Sequence, residues 1–193
     1  MKQADERMGW LIDRVGELTI RLTADPFESL AMSIVGQQLS VKAAAVIRGR
    51  VRALVPAIAP EALLALDEET LRGAGLSRAK VASIRDLSAK ALSRELDLER
   101  LDGMENEEII RMVSAVRGIG RWTAEMFLLF SLGRPDVLSV GDFGLQRAAK
   151  WLYAMEERPD KKYLEQHAHK WTPYRSAASF YLWESINRDI IKE

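Results

Sequence analysis

Apolar residues recur three and four positions apart along most of the chain, which is the spacing of amphipathic helices. In the first such stretch, about Asp5 to Leu22, the apolar stripe consists of Met8, Leu11, Ile12, Val15, Leu18 and Leu22. No segment sustains the two-residue alternation of a half-buried strand. The pattern therefore predicts an all-α fold of about ten helices joined by short connections.

Residues that favour helix N-termini mark several of the predicted boundaries. Asp25 precedes Pro26, a pair typical of a helix start. Ser40 is expected to cap a helix that runs to about Val51, and Ser77 is expected to cap another. The glycines that precede Ser77 fit an interhelical turn as well as they fit a ligand site.

Composition narrows the chemistry. The 193 residues include no cysteine, which excludes thiolate catalysis, cysteine-ligated zinc and iron–sulfur clusters. The two histidines, His167 and His169, stand in a polar stretch that we interpret as surface, and their spacing of two disfavours a shared ligand. The chain has no apolar run of about 20 residues and no signal-peptide core, so we expect a cytoplasmic protein, beside the nucleoid in a bacterium.

Charge is balanced overall but uneven along the chain. The formal net charge is zero, which does not by itself indicate a nucleic-acid binder. Basic residues are concentrated between positions 42 and 52 and between 72 and 94, whereas acidic residues are concentrated between 95 and 108. Solvated helix faces and a nucleic-acid surface are equally compatible with this distribution.

A glycine hairpin is the more specific signal. Residues 117–124 read Arg-Gly-Ile-Gly-Arg-Trp-Thr-Ala and lead directly into an apolar helix. Gly118 and Gly120 allow a sharp turn that leaves backbone N–H groups uncovered, next to the positive end of the following helix dipole. Such a surface suits a phosphate, although glycine turns between packed helices are also common.

Asp142 follows on a short apolar loop, at the predicted N-terminus of a further helix. An aspartate there is a favoured N-cap. The stabilisation of a cation during catalysis requires a negatively charged carboxylate, as helix capping also favours, so the two roles are compatible.

The hairpin, the Gly-Arg-Pro-Asp loop at 133–136 and Asp142 together resemble the helix-hairpin-helix (HhH-GPD) DNA glycosylase superfamily. Further segments resemble its 3-methyladenine DNA glycosylase II branch: Pro-Phe-Glu-Ser-Leu at 26–30, Gly-Gln-Gln-Leu-Ser-Val-Lys-Ala-Ala at 36–44, Gly-Leu-Ser-x-x-Lys at 75–80, Pro-Tyr-Arg-Ser-Ala-Ala at 173–178 and Tyr-Leu-Trp at 181–183. The resemblance covers about residues 26–183. It implies a two-lobed helical fold with a DNA-binding cleft and no N-terminal β-domain.

The resemblance implies that the chain hydrolyses the N-glycosidic bond of alkylated purines such as 3-methyladenine and 7-methylguanine, in base excision repair. The damaged base would be flipped out of the duplex. Asp142 matches the family aspartate that stabilises the oxocarbenium-like sugar and acts on the attacking water. Trp122 stands where lyase members carry their Schiff-base lysine, so we expect a monofunctional enzyme that leaves an abasic site.

The same resemblance assigns the remaining site residues. Trp122, Met126 and Trp183 match base-pocket positions, with Met126 in place of a tyrosine of some relatives. Gln38 matches the residue that fills the gap left by the flipped base. The expected DNA-binding residues are Gln38, Ser40, Lys42, Gly118, Ile119, Gly120, Arg121 and Thr123. Backbone carbonyls of Ser114, Val116 and Ile119 match those that hold a structural Na⁺ or K⁺, and no cofactor is required. Arg117 replaces the proline usual before the hairpin.

We therefore expect one glycosylase domain over residues 1–193, with a helical lobe of about 30–135 and a second lobe from the N-terminal helix plus about 136–193. The expected partner is double-stranded DNA with alkylated bases, bound by a monomer away from membranes. A non-catalytic helix-hairpin-helix DNA-binding protein, a glycosylase for other damaged bases and a helical protein–protein adaptor are the alternatives.

Overall fold

The computed structural model describes residues 1–23 and 25–191. The described residues form helices, turns and loops without a β-strand, so the all-α prediction is confirmed. No helix among them is both long and apolar enough to span a bilayer. The chain divides into two compact units, which we call the hairpin unit (Thr23–Phe127) and the terminal unit (Met1–Leu22 with Leu128–Glu193).

The hairpin unit contains six complete α-helices and most of a seventh. They are α2 (Pro26–Gly36), α3 (Val41–Arg52), α4 (Pro60–Ala65), α5 (Glu68–Gly73), α6 (Arg78–Leu92), α7 (Asn106–Ser114) and α8 (Arg121–Phe130). Their inward faces supply a core of aliphatic side chains that includes Leu30, Ile34, Val51, Leu63, Leu71, Ile84, Leu87, Ile109 and Val113. A 3₁₀ turn, Leu101–Gly103, precedes α7.

The predicted caps are present in this unit. The Asp25 carboxylate accepts the backbone N–H of Glu28 at 2.7 Å, and the Ser40 hydroxyl accepts that of Ala43 at 3.2 Å. The Ser77 hydroxyl accepts the N–H of Lys80 at 3.3 Å. Each bond satisfies one N–H that a helix start leaves without an intrahelical partner.

The terminal unit joins the two ends of the chain. It contains α1 (Glu6–Val15), α9 (Phe143–Leu152), α10 (Lys161–His167), the 3₁₀ turn Ala168–Trp171 and α11 (Arg175–Asn187). One core holds these elements together and is formed by Met8, Leu11, Val15, Leu145, Ala148, Ala149, Leu152, Leu164, Ala168, Trp171, Ala178 and Leu182. The chain passes from one unit to the other after Leu22 and after Phe127. The predicted lobes of about 30–135 and, with the N-terminal helix, about 136–193 stay predictions.

The predicted end of the first helix is wrong. Helix α1 ends at Val15 because Gly16 adopts φ +81°, a left-handed conformation that terminates the helix. The apolar pattern nevertheless continues, since Leu18 packs against the core of the terminal unit and Leu22 lies against Gly133. Residues 16–22 thus make apolar contacts through Leu18 and Leu22 without being helical.

A buried polar cluster ties α1 to the rest of the terminal unit. Asp5 caps α1 by accepting the N–H of Met8 at 3.0 Å, and it also accepts the Tyr153 hydroxyl at 2.6 Å and the Trp171 indole N–H at 3.1 Å. His167 Nε2 lies 3.4 Å from the same carboxylate, and its side chain is only 10% exposed. The interpretation of His167 as a surface residue is therefore wrong.

Candidate active site

The glycine hairpin connects α7 to α8 as predicted. Gly118 adopts φ +78°, which an L-residue rarely adopts, and both Gly118 and Gly120 are exposed. Ile119 between them is buried, so its side chain anchors the turn in the hairpin unit while the neighbouring backbone faces solvent. The turn therefore has the geometry required to present backbone N–H groups to an anion.

Helix α6 makes two contacts with the glycine hairpin, through Asp86 and Ser83. The Asp86 carboxylate accepts the N–H of Arg117 at 2.7 Å. Burial acts to raise the pKa of Asp86, but the hydrogen bonds from this N–H and from Lys90 together outweigh it and lower this pKa. A Cβ on Gly118 would lie 2.5 Å from the Ser83 hydroxyl oxygen, so α6 packs directly against the turn.

We expect Gly118→Ala to weaken both the fold and DNA binding. The added methyl group would meet Ser83 and force a left-handed backbone, which costs about 1–3 kcal/mol. Thermal unfolding and fluorescence anisotropy with duplex DNA measure the two effects. Gly49→Ala is the matched control, because nothing lies within 4 Å of its Cβ position in the middle of α3. Equal unfolding midpoints and equal DNA affinities for the two variants would contradict the prediction.

The predicted gap-filling residue lies in a loop that the hairpin unit holds firmly. Gln38 is exposed and adopts φ +57° in the turn between α2 and α3. Lys80 donates from Nζ to the carbonyls of Val35 and Gln37, both at 2.8 Å, and burial followed by the nearby Arg48 lowers the pKa of Lys80. Gln37 in turn donates from its side-chain amide to the carbonyl of Gly118 at 2.9 Å. The loop and the glycine hairpin are therefore directly linked.

The weaker glycine turn before Ser77 has a packing role. Gly75 adopts φ +109°, and a Cβ on it would lie 2.4 Å from the Cδ1 atom of Ile47. Helix α3 thus approaches this turn too closely for a side chain, which favours the interhelical-turn interpretation over a ligand site.

The other predicted DNA-binding side chains differ in their surroundings. Ser40 and Lys42 are exposed at the start of α3. Arg121 is paired with Glu107 and, at 2.9 Å, with Glu125, and the Glu107 hydrogen bond raises its pKa. Thr123 is only 6% exposed. Arg121 would therefore reach a phosphate only by giving up intramolecular ion pairs, and the DNA contacts of all these residues stay predictions.

The carbonyls proposed to hold a cation lie where α7 ends and the hairpin begins. Ser114 ends α7, and a carbonyl in a last helical turn lacks an intrahelical partner and carries the negative end of the helix dipole, which suits a monovalent cation. The Val116 carbonyl accepts the N–H of Ile119 at 3.1 Å and keeps a second lone pair. The buried Ser114 hydroxyl has no hydrogen-bond partner among the described residues. The residues fit such an ion, and its presence stays a prediction.

Asp142 is the N-cap of α9, as expected. Its Oδ1 atom accepts the N–H of Leu145 at 2.8 Å and the indole N–H of Trp183 at 3.0 Å. Its side chain is half-buried. Trp183 lies 41 positions away on α11, so the sequence alone offered no sign of this second hydrogen bond.

Aromatic rings surround Trp183 within the terminal unit. Phe130 stacks on it with ring centroids 5.8 Å apart and an interplanar angle of 25°, and Phe180 lies tilted at 5.9 Å. A cavity of about 270 Å³ is lined in part by these three rings. A second cavity of this unit, of about 290 Å³, lies against Trp10 and Trp151 and does not include the three rings. Trp122 and Met126, the other predicted base-pocket residues, lie on α8, where Trp122 is 51% exposed and Met126 is half-buried.

An ion pair secures the Gly-Arg-Pro-Asp loop to the start of α11. Arg175 donates to both carboxylate oxygens of Asp136, at 2.7 and 2.9 Å, and this hydrogen bonding lowers the pKa of Asp136. The Ser176 hydroxyl donates to the carbonyl of Arg134 and accepts the N–H of Val137 at 2.9 Å. The loop that precedes Asp142 is thereby fixed to the helix that carries Trp183.

Comparison with known proteins agrees with this arrangement. Residues 31–174 match the model of the HhH-GPD superfamily base excision DNA repair proteins. The chain is 33% identical over 167 residues to DNA-3-methyladenine glycosylase 1 of Schizosaccharomyces pombe, covering 83% of this chain and 72% of that protein.

Solved structures give the same result. The crystal structure of a DNA-3-methyladenine glycosidase from Bacillus halodurans superposes with a TM-score of 0.90 at 46% identity, over 98% of this chain and 88% of that one. The 3-methyladenine DNA glycosylase of Schizosaccharomyces pombe in complex with abasic DNA superposes with a TM-score of 0.85 at 31% identity, over 98% and 95%. The chain therefore belongs to the HhH-GPD superfamily of base excision DNA repair proteins and, within it, to the 3-methyladenine DNA glycosylase branch.

Proposed function

We propose that this chain is a monofunctional DNA glycosylase that removes alkylated purines from double-stranded DNA in base excision repair. The observation that carries the proposal is the placement of Asp142, whose half-buried carboxylate accepts hydrogen bonds from Leu145 and Trp183 at the N-terminus of α9. The similarity to proteins named 3-methyladenine DNA glycosylases supports it. So does the similarity to one bound to abasic DNA, because an abasic site is what base removal leaves.

The reaction breaks the bond between the sugar C1′ and the purine nitrogen. An alkylated purine such as 7-methylguanine already carries a positive charge, so it departs with the bonding electron pair as a neutral base. Positive charge then develops on the sugar, and the Asp142 carboxylate stabilises it. Water adds its oxygen to C1′ and releases a proton, and the proposal assigns its acceptance to the Asp142 carboxylate.

The other residues in the proposal bind and position the DNA. The backbone of Gly118, Ile119 and Gly120 binds a phosphate without regard to base sequence. Gln38 fills the space left by the extruded base, and the indole face of Trp122 attracts a cationic purine more strongly than a normal base. Trp122 cannot form an imine with the sugar, and its presence supports base release without strand cleavage. A cytoplasmic location and a monomeric state accompany the proposal as predictions.

Methylated duplex DNA tests the activity directly. Incubation with the protein is expected to release free 3-methyladenine or 7-methylguanine and to leave sites that break only after alkali treatment. DNA binding without base release would favour the non-catalytic DNA-binding alternative. Strand breaks before alkali treatment would overturn the monofunctional assignment.

A further inference from the structure

The hydrogen bond from Trp183 to Asp142 indicates a role for Trp183 in addition to lining the base pocket. Its indole N–H donates to Asp142 Oδ1 at 3.0 Å, the same oxygen that caps α9 through Leu145. A hydrogen bond to a charged group is stronger than one between neutral groups and constrains its direction. The edge of the Trp183 ring therefore fixes the orientation of the carboxylate.

The ring of Trp183 is itself held in place. Phe130 stacks on one face of it, and Phe180 contacts both rings, at 5.4 Å from Phe130 and 5.9 Å from Trp183. Stacked and edge-on aromatic pairs stabilise one arrangement over others. Because Phe130 occupies one face of the indole, at most the opposite face can meet a base.

Gly144 leaves the space that this hydrogen bond needs. A Cβ at this position would lie 3.1 Å from Asp142 Oδ1 and 3.5 Å from the Cδ1 and Nε1 atoms of Trp183. Glycine is unfavourable inside a helix relative to alanine, and here its φ is not left-handed, so backbone conformation does not require it. The close approach of the carboxylate and the indole does.

From these contacts we propose that Trp183 is a positioning residue, which acts on the reaction by orienting Asp142, and that Phe130 and Gly144 serve this orientation. The inference rests on the proposed glycosylase function. It assigns to the Trp183 N–H an effect on the rate of bond cleavage that stacking against the base would not produce.

The test separates the N–H group from the ring. Replacement of Trp183 by 3-benzothienylalanine keeps the bicyclic face and substitutes sulfur for the N–H, whereas Trp183→Phe removes the donor with part of the ring. With duplex DNA containing one 7-methylguanine, both variants are expected to lower the single-turnover rate constant by about 10- to 100-fold at saturating enzyme. The enzyme concentration for half-saturation should change by less than about threefold for the benzothienylalanine variant, because the stacking face is retained.

Gly144→Ala provides a second route to the same hydrogen bond. It should lower the rate constant, and its combination with Trp183→Phe should be far from additive because both variants disturb one contact. Trp10→Phe, at an exposed tryptophan of α1, is the control and should leave the rate constant unchanged. A benzothienylalanine variant that cleaves at the wild-type rate would overturn the inference.

Failure of the inference is distinguishable from failure of the proposed function. If the wild-type protein releases no methylated base, the function is wrong. The hydrogen bond is then still testable without substrate, since the Trp183 indole N–H resonance should shift upfield in Asp142→Ala when its acceptor is removed. An unshifted resonance would contradict the positioning contact itself.

Discussion

Asp142→Asn is expected to lower the single-turnover rate of 7-methylguanine release by about 100- to 1,000-fold, the range found when one preorganised electrostatic group is removed from an active site. Asparagine keeps the size of the side chain and one oxygen that can accept from Leu145 and Trp183. It carries no charge, so it cannot stabilise a cationic sugar. The fold should persist while the chemistry is lost.

Asp160→Asn is the matched control for this experiment. Asp160 caps α10 in the same way, accepting the N–H of Tyr163 at 2.7 Å, and has no place in the proposed site. We expect it to release the base at the wild-type rate. Quenched-flow or manual sampling with excess enzyme measures both variants, and thermal unfolding confirms that both are folded. Release by Asp142→Asn at more than about a tenth of the wild-type rate would sink the assignment of Asp142 as the electrostatic stabiliser.

The largest expected effect on stability comes from Asp5→Ala. This change leaves the Tyr153 hydroxyl and the Trp171 indole N–H buried without their acceptor, at about 1–3 kcal/mol each, and removes the cap of α1, at about 1 kcal/mol. Urea titration should show a loss of about 3–7 kcal/mol in the free energy of unfolding. Asp13→Ala on the same helix is the control, because its exposed pair with Lys2 should contribute less than about 0.5 kcal/mol.

The same cluster predicts acid sensitivity. Burial acts to raise the pKa of Asp5, but hydrogen bonds from Tyr153, the Met8 backbone and Trp171, with the charge of His167, outweigh it and leave this pKa below 3.8. Burial and Lys170 lower the pKa of His167 below 6.5, against an opposing contribution from Asp5. Both groups bind more protons in the unfolded chain, so stability should fall as the pH drops below 6.5 and fall further below 3.8.

Unfolding midpoints measured from pH 7.5 to pH 3.5 check this dependence. His167→Gln should flatten the slope between pH 6.5 and 5, where His167 is the titrating member of the cluster. A slope that survives in this variant would show that other groups, outside the cluster, produce the acid sensitivity.

Local signals in the sequence were sufficient for the elements that build the site. Gly118 and Gly120, the cap at Asp142 and the apolar spacing of α8 are all short-range features, and the structure forms them where expected. Their physical basis, backbone freedom and satisfaction of helix-end N–H groups, lies within a few residues of chain. Turns, caps and helix spacing depend on neighbouring residues and can therefore be predicted from the sequence alone.

Long-range contacts account for the errors. The apolar stripe of the first helix continues past Gly16 in the sequence, but the backbone at Gly16, with φ +81°, ends the helix, and Leu18 packs against the core from a non-helical segment. His167 stands among polar neighbours, although Leu164, three positions earlier on the same helix, is fully buried. That spacing was available as a signal. The hydrogen bond between Trp183 and Asp142 was not, because nothing in either segment specifies how α9 and α11 meet.

The rigid support of the turn that carries Gln38 has a consequence for the energetics of damage recognition. Because Lys80 and Gln37 fix this backbone in the free protein, its conformational entropy is lost during folding and not again on contact with DNA. In the proposed function, Gln38 would therefore contact each base step from a backbone that is already ordered. The first step of discrimination would then depend on how readily a given base pair opens, before the extruded base reaches Trp122.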